Sequence, residues 1–328
     1  MLVFSRDPGP TNLLIALVER LSSAASEDEL EGIATLRQKI DRSHATIMAR
    51  DPGVRMWQQA GFSPTSWRDR SKEAARRLLL DSEAAFVLTG SSDVDEFGDR
   101  DLWQAARSLG LESHVVIDHP ANLRTRFNDR EGNPLWPDYL YVADYDFAER
   151  LVKIGHERSR VRVIGDLHHA RLKRRAVDVK DADIANLRRG WGADEKTHVI
   201  LFASECAREM LIAGCPSQYD EIAVLEDLLG TLENGETPGP VRANPDDVLV
   251  VIRPHPRDAA GKYDEIASGY AGCLRVIVSG EAGVELAILS SDVVVGMNSS
   301  FLYEAYELKR PVVSLTGHII ADGKSCAG

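Results

Sequence analysis

Short apolar runs rich in β-branched residues recur along the chain, and most are followed by a stretch whose apolar positions fall three and four apart. Runs at 1–5, 45–49, 84–88, 114–117, 137–143 and 161–165 predict buried strands in the first half. Runs at 199–203, 248–252, 274–278, 292–295 and 311–315 predict more in the second. Helices are expected at 13–21, within 22–43, and at 54–61, 71–80, 101–109 and 146–154. In the second half they are expected at 171–190, 219–232, around 263–268, and at 285–289 and 301–308. In 219–232 the positions of Ile222, Leu225, Leu228, Leu229 and Leu232 have core spacing. Strands alternating with helices predict an α/β protein built on parallel sheets. Residues 6–12 and 63–68 read as tight loops, and 233–246, with three prolines and two glycines, as a long one.

Polar residues cluster where the predicted strands end, which is where open α/β sheets bind ligands. The strand at 248–252 stops at Arg253-Pro254-His255-Pro256, because two prolines two apart cannot continue a central strand. The strand at 292–295 runs into Asn298-Ser299-Ser300 at the start of a helix, where hydroxyls and free N–H groups favour an anion. Arg253, His255, Ser299 and Ser300 are therefore candidates to hold a phosphate, and Ser204 or Glu205, after the strand at 199–203, could meet a phosphate or a hydroxyl. In the first half, Asp7 follows the first strand as an acid, a base or a plain turn residue, with Thr11 or Asn12 as the cap of the next helix. The Gly-Ser run at 89–92 is a sugar contact or a connector. Asp118-His119 pairs a carboxylate with an imidazole, near Asn122, Arg124 and Arg126, as a general base and its orienter or as a turn. Neighbours on an extended chain point opposite ways, so one of the two faces a substrate.

Composition narrows the field. The chain has 328 residues, 44% hydrophobic and 27% charged, enough for two domains. A net charge of -12 argues against a general nucleic-acid binder. The first loop lacks the dinucleotide fingerprint, so no NAD is assigned. Cys206, Cys215, Cys273 and Cys326 are scattered and read as reduced thiols of a cytoplasmic protein. Cys206 has no identifiable histidine partner, so it is not read as a nucleophile. His168-His169 lacks companion ligands and reads as linker rather than metal site, and the basic stretch that follows as a solvated face. No secretory leader is visible, and no apolar run approaches the ~20 residues of a membrane span.

The turns at 253–256 and 298–300 together resemble the C-terminal half of GT-B-fold glycosyltransferases and the related UDP-N-acetylglucosamine 2-epimerases. They look most like bacterial enzymes using CMP-activated acidic sugars and like CDP-glycerol polymerases. Glu304-Ala305 and Lys309-Arg310-Pro311 are similar to that superfamily's Glu-Ala and Gly-Lys-Pro signature, with Lys309 in place of the glycine. The resemblance covers about 70 residues well, which is the length of the 248–315 segment, and the remainder by strand-helix order.

The resemblance implies two Rossmann-like domains facing across a cleft: an acceptor-side domain at 1–168 and a nucleotide-binding domain at 169–328. It implies that His255-Pro256 and Ser299-Ser300, with Arg253, Glu304 and Ser204, bind a nucleotide's phosphate and ribose. The activity expected is metal-independent transfer of a sugar or polyol phosphate from a CMP- or UDP-linked donor to an acceptor hydroxyl, with no resident cofactor. Asp7, Asp118 or His119 would take the acceptor's proton. Alternatives are a nucleotide-sugar 2-epimerase or hydrolase and a nucleotide-binding protein without catalysis. Many members end in a helix crossing back to the first domain; no such pattern follows 315.

Overall fold

A computed structural model describes residues 1–24, 29–40, 45–92, 96–120, 123, 126–212, 217, 219–237, 244, 247–270 and 272–316. The chain divides into two compact units, Met1–His168 and His169–Gly328, each an α/β domain of Rossmann type around its own parallel sheet.

The first unit runs β1 (Leu2–Ser5), α1 (Pro8–Ser22), α2 (Glu31–Lys39), β2 (Thr46–Ala49), α3 (Gly53–Gln59), β3 (Thr65–Ser66), α4 (Lys72–Asp81) and β4 (Phe86–Gly90). It continues with α5 (Gly98–Ser108), β5 (Glu112–Val116), β6 (Tyr139–Val142), α6 (Tyr145–Lys153) and β7 (Val161–Val163). Its seven strands lie in the order β3-β2-β1-β4-β5-β6-β7. The strands are apolar on both faces because helices cover both. Val3, Ile47 and Leu88 pack under α1 and α3, while Leu2, Phe4 and Val87 pack with Ala75, Leu79 and Leu102 of α4 and α5.

The second unit opens within α7 (Leu167–Asp178) and continues with α8 (Asp181–Gly190), β8 (His198–Ala203), α9 (Ala207–Ile212), α10 (Glu221–Glu233) and β9 (Val248–Arg253). Then come α11 (Asp264–Gly269), β10 (Arg275–Val278), α12 (Val284–Leu289), β11 (Val293–Gly296), α13 (Ser300–Glu307) and β12 (Val312–Ser314). The order β10-β9-β8-β11-β12 reverses direction between β8 and β11. Ile222, Leu225, Leu228, Leu229 and Leu232 bury the α10 stripe against one face. Trp191, Ile288, Leu302 and Ala305 cover the other.

Three local expectations are corrected. The first loop is helical from Pro8, so the residue flanking the helix start is Asp7 rather than Thr11 or Asn12. Proline is tolerated there because the first helical N–H has no partner to lose. His168 and His169 lie in the first turn of α7 rather than in a linker, and the basic stretch after them is two helices broken before Asp181. The expected loop at 63–68 contributes Thr65–Ser66 as a two-residue edge strand. The expectation of two Rossmann-like α/β domains holds. No helix among the described residues is long and apolar enough to cross a membrane.

Candidate functional site

The second sheet delivers its turns at one level. Arg253 of β9 pairs with Ala203 of β8, which pairs on its other side with Gly296 of β11, which pairs with Ser314 of β12. Just past that row the chain leaves the sheet at Ser204-Glu205, at Pro254-His255-Pro256 and at Met297-Asn298-Ser299. The strand order reverses between β8 and β11, which makes this the crevice where an open α/β sheet takes a ligand.

Arg253 ties the two motif segments together. Its Nη1 donates to the Ala282 carbonyl at 2.9 Å, and its guanidinium lies 5.2 Å from the Phe301 ring centre on α13. Burial lowers its pKa, while the charges of Glu304 and Glu285 pull the other way. Glu304 is itself buried, and Glu285 also pairs with Arg175 at 3.1 Å. Arg253 therefore fixes the start of α13 relative to the His-Pro turn.

The His-Pro turn is held from below by Asp258. Its Oδ2 accepts the His255 N–H at 2.7 Å and hydrogen bonds from Ser204 Oγ and the Tyr263 hydroxyl, each at 3.2 Å. Ser204 and Tyr263 also share a short hydroxyl–hydroxyl bond. Asp258 Oδ1 receives Lys262 Nζ at 2.8 Å, and the same ammonium meets Glu209 at 2.8 Å and Glu221 at 2.5 Å. Oxygens of these three carboxylates lie within 4.8 Å of one another, a spacing a metal ion could use, but the ammonium occupies the centre. Burial opposes the charge on Lys262; the three carboxylates outweigh it and raise its pKa.

In His255 the Nδ1 atom accepts the Arg257 N–H at 3.1 Å, which leaves the ring proton on Nε2. Burial, with Arg257 and Lys262 adding repulsion, holds the pKa down to about 4. The ring is thus a neutral donor through Nε2 at ordinary pH. Cys206 accepts a hydrogen bond from Arg257, and burial raises its thiol pKa, the reverse of an activated nucleophile.

The β11 turn carries the hydroxyls. Ser299 flanks α13 but makes no capping bond, and its Oγ is buried without a hydrogen-bond partner. Ser300 is exposed at the first helical position. The first turn contains no acidic residue, so its N–H groups and the helix dipole favour an anion. Glu205 reaches this turn from β8: its Oε1 accepts the Asn298 N–H at 2.6 Å and its Oε2 the Tyr219 hydroxyl at 2.5 Å.

In the first unit Asp118, after β5, is brought to Ser91, after β4, and to Gly9, after β1. Asp118 Oδ1 accepts Arg126 Nη1 at 2.9 Å, and the same nitrogen reaches Ser91 Oγ at 3.0 Å. The Asp118 carboxylate lies against Gly9 so closely that a Cβ there would be 2.0 Å from Oδ2. Asp7 contacts Arg6 at 3.5 Å. His119 turns outward and is exposed while Asp118 turns in. Partial desolvation lowers the His119 pKa; Asp118 resists this, and Arg126 and Arg150 reinforce it. Asn122 and Arg124 lie outside the described residues.

Of the groups under the His-Pro turn, Ser204 is among the sequence candidates, whereas Asp258, Tyr263, Lys262 and Glu221 are not. Asp258 stands three residues after His255, the spacing of a side chain capping its own turn, and that signal was available. Lys262 and Glu221 carried none, because only the fold brings α10 under the turn.

No protein-family model matches the chain, and no curated protein matches it. Solved structures do. The UDP-GlcNAc 2-epimerase from Neisseria meningitidis bound to UDP-GlcNAc is similar over 95% of this chain and 81% of its own, with TM-score 0.56 and 13% identity. The enzyme of that name from Methanocaldococcus jannaschii, in complex with UDP-GlcNAc and UDP, is similar over 95% and 82%, with TM-score 0.58 and 12% identity. The wall teichoic acid polymerase TagF soaked with CDPG is similar over 95% and 68%, with TM-score 0.50 and 16% identity. At these identities the likeness is one of fold.

Proposed function

We propose that the chain is a nucleotide-sugar enzyme of GT-B type, a glycosyltransferase that moves a sugar or polyol phosphate from a pyrimidine-nucleotide donor to an acceptor hydroxyl in the cytoplasm. The observation that carries this reading is the row Arg253–Ala203–Gly296, which brings a neutral imidazole donor and an uncapped, serine-flanked helix start to one strand-order reversal. Charge builds on the leaving phosphate during transfer. Ser299, Ser300 and the first N–H groups of α13 face it as fixed donors, and His255 adds Nε2–H, so no reorganisation is needed as the charge develops. Arg253 serves this electrostatics by fixing α13, Ser204 by bracing Asp258, and Pro256 by ending the turn; buried Glu304 is the residue for the ribose hydroxyls. Asp7, Asp118 and His119 are the acceptor-side groups. His119 is the best base among them, being exposed and held neutral, while Asp118 is committed to Arg126.

A second reading, a nucleotide-sugar 2-epimerase, draws support from the higher structural similarity to enzymes of that name than to TagF. Both readings need a nucleotide at the β8–β11 edge. Thermal shift with CMP, UMP, CDP and UDP tests it: at least one raises the melting temperature, and no shift at millimolar nucleotide overturns both. Incubation of a bound class of nucleotide sugar with and without acceptor alcohols separates them. Acceptor-dependent release of nucleotide supports transfer, and a 2-epimer formed without acceptor supports the other.

A further inference from the structure

Among the described residues of the first unit three arginines are buried, Arg50, Arg100 and Arg126. Two of them are satisfied at every nitrogen of the guanidinium. Arg50 gives Nε to the Trp67 carbonyl at 3.0 Å, Nη2 to the Asp69 carbonyl at 2.7 Å and Nη1 to Glu96. Arg100 gives Nε to Asp99 and Nη1 to the Asn128 carbonyl, each at 3.4 Å, and Nη2 to the Glu96 carbonyl. Arg126 departs from this pattern. Among the described residues both of its hydrogen bonds leave from Nη1, to Asp118 Oδ1 at 2.9 Å and to Ser91 Oγ at 3.0 Å. Its Nε is buried and has no partner there, in a residue only 8% exposed. An unsatisfied donor on a buried cation is costly, and protein interiors seldom keep one.

Nε and Nη2 form the edge of a guanidinium that takes a carboxylate through two parallel hydrogen bonds. Ser91 and Asp118 hold Nη1 just past the ends of β4 and β5, which are neighbours in the sheet. Open α/β sheets bind ligands at that level. The group stands at the margin of the fold rather than in its core, since the Asp118 side chain keeps 20% of its surface and the adjacent His119 is exposed. Charge decides between anions. Asp118 already balances the guanidinium, so a carboxylate brings one further negative charge beside it and a phosphate dianion brings two. We propose that the Nε–Nη2 edge of Arg126 is a carboxylate subsite and that the acceptor is a hydroxy acid held there by its carboxylate. This rests on the acceptor role given above to the first unit and names the acceptor's chemical class.

Nitrogen–proton correlation spectra of the full chain test it by reading the Arg126 Nε–H directly, with the signal assigned by its loss in Arg126→Lys. The probes are glucuronate, glucose and glucose phosphorylated at the same terminal carbon, with acetate as the bare carboxylate and sodium chloride as the ionic-strength control. Glucuronate and acetate are expected to move the signal downfield and to saturate with Kd in the range of about 1–100 mM. Glucose and chloride are expected to leave it in place, and the sugar phosphate to bind at least about threefold more weakly than glucuronate. Lysine keeps the charge without the planar edge, so Arg126→Lys should weaken glucuronate by at least about tenfold, read at the Ser91 backbone amide. A wild-type signal unmoved by glucuronate and acetate at about 100 mM, in a protein that binds nucleotide, overturns the inference and leaves the nucleotide site standing. Equal movement by glucose or chloride, or tighter binding of the sugar phosphate, overturns the carboxylate assignment. A shift with glucuronate in a protein that binds none of CMP, UMP, CDP and UDP overturns the transferase reading, and the acceptor role with it, and leaves Arg126 a carboxylate site.

Discussion

The two units solve the same topological problem and finish it differently. Each reverses strand order beside its first strand, between β1 and β4 in one unit and between β8 and β11 in the other. In the first unit the helix start at that reversal is closed by protein atoms. The Asp118 carboxylate presses on Gly9, and a Cβ at Gly90 would lie 2.4 Å from Pro10. In the second unit the helix after β11 starts with an exposed Ser300 and a Ser299 hydroxyl that bonds nothing. An anion site that is satisfied internally has no reason to take a phosphate, whereas one left open does. On the proposed reading, the phosphate goes to the second unit and Asp118 and His119 of the first serve the acceptor.

The largest effect expected from disturbing this contrast is on the closed side. Gly9→Ala puts a methyl group onto the Asp118 carboxylate and should destabilise the fold by about 1–3 kcal/mol in urea denaturation. The same substitution in an Asp118→Ala background should cost distinctly less, and equal costs would mean the two residues do not press on each other. On the open side, His255→Ala should weaken the nucleotide that wild type binds best by at least about tenfold, or ~1.4 kcal/mol, with the melting curve retained. Unchanged affinity takes the imidazole out of the site.

A smaller contrast separates two serines. Ser71 accepts the Ala74 N–H at 3.1 Å as a true cap of α4, so Ser71→Ala should cost about 1 kcal/mol of stability. Ser299 caps nothing, so Ser299→Ala should cost only a few tenths of that while weakening nucleotide binding several-fold. A stability loss at 299 equal to that at 71 would make it an ordinary cap.

A separate effect is a change of slope with pH. Burial lowers the pKa of His114, His156 and His255 to about 4 in the folded protein, so the stability they give is full above about 6.5 and lost as pH falls toward 4. Asp99 runs the other way. Burial pushes it up to about 6, so its contribution is full below the usual carboxylate range and lost as pH rises through 6. Three histidines outweigh one carboxyl, and the melting temperature should drop between pH 6.5 and 4. His156→Phe, in the aromatic nest of Phe127 and Trp136, should make the drop shallower. An unaltered slope would show that His156 does not take up its proton on unfolding.

Much of the fold was legible because periodicity reports burial directly. The run at 248–252 is apolar throughout since both faces of β9 are covered, and the spacing from Ile222 to Leu232 matches the stripe α10 buries. Boundaries failed where local signals conflict with what a helix start tolerates. Pro8-Gly9-Pro10 reads as a turn, yet the first helical turn has no N–H bonds for proline to break.

What the sequence by itself determined was the set of polar groups waiting at strand ends: Arg253, His255, Ser299, Ser300 and Asp118 all follow apolar runs that could only be strands. Which of them are free to meet a ligand was decided by tertiary structure alone. Strand order sets β8 between β9 and β11, and packing sends Asp118 to Gly9 and Glu205 to Asn298. Those partners are far apart along the chain. Charge and hydrogen bonding act through space, so a pattern along the chain lists the groups but not who neutralises whom.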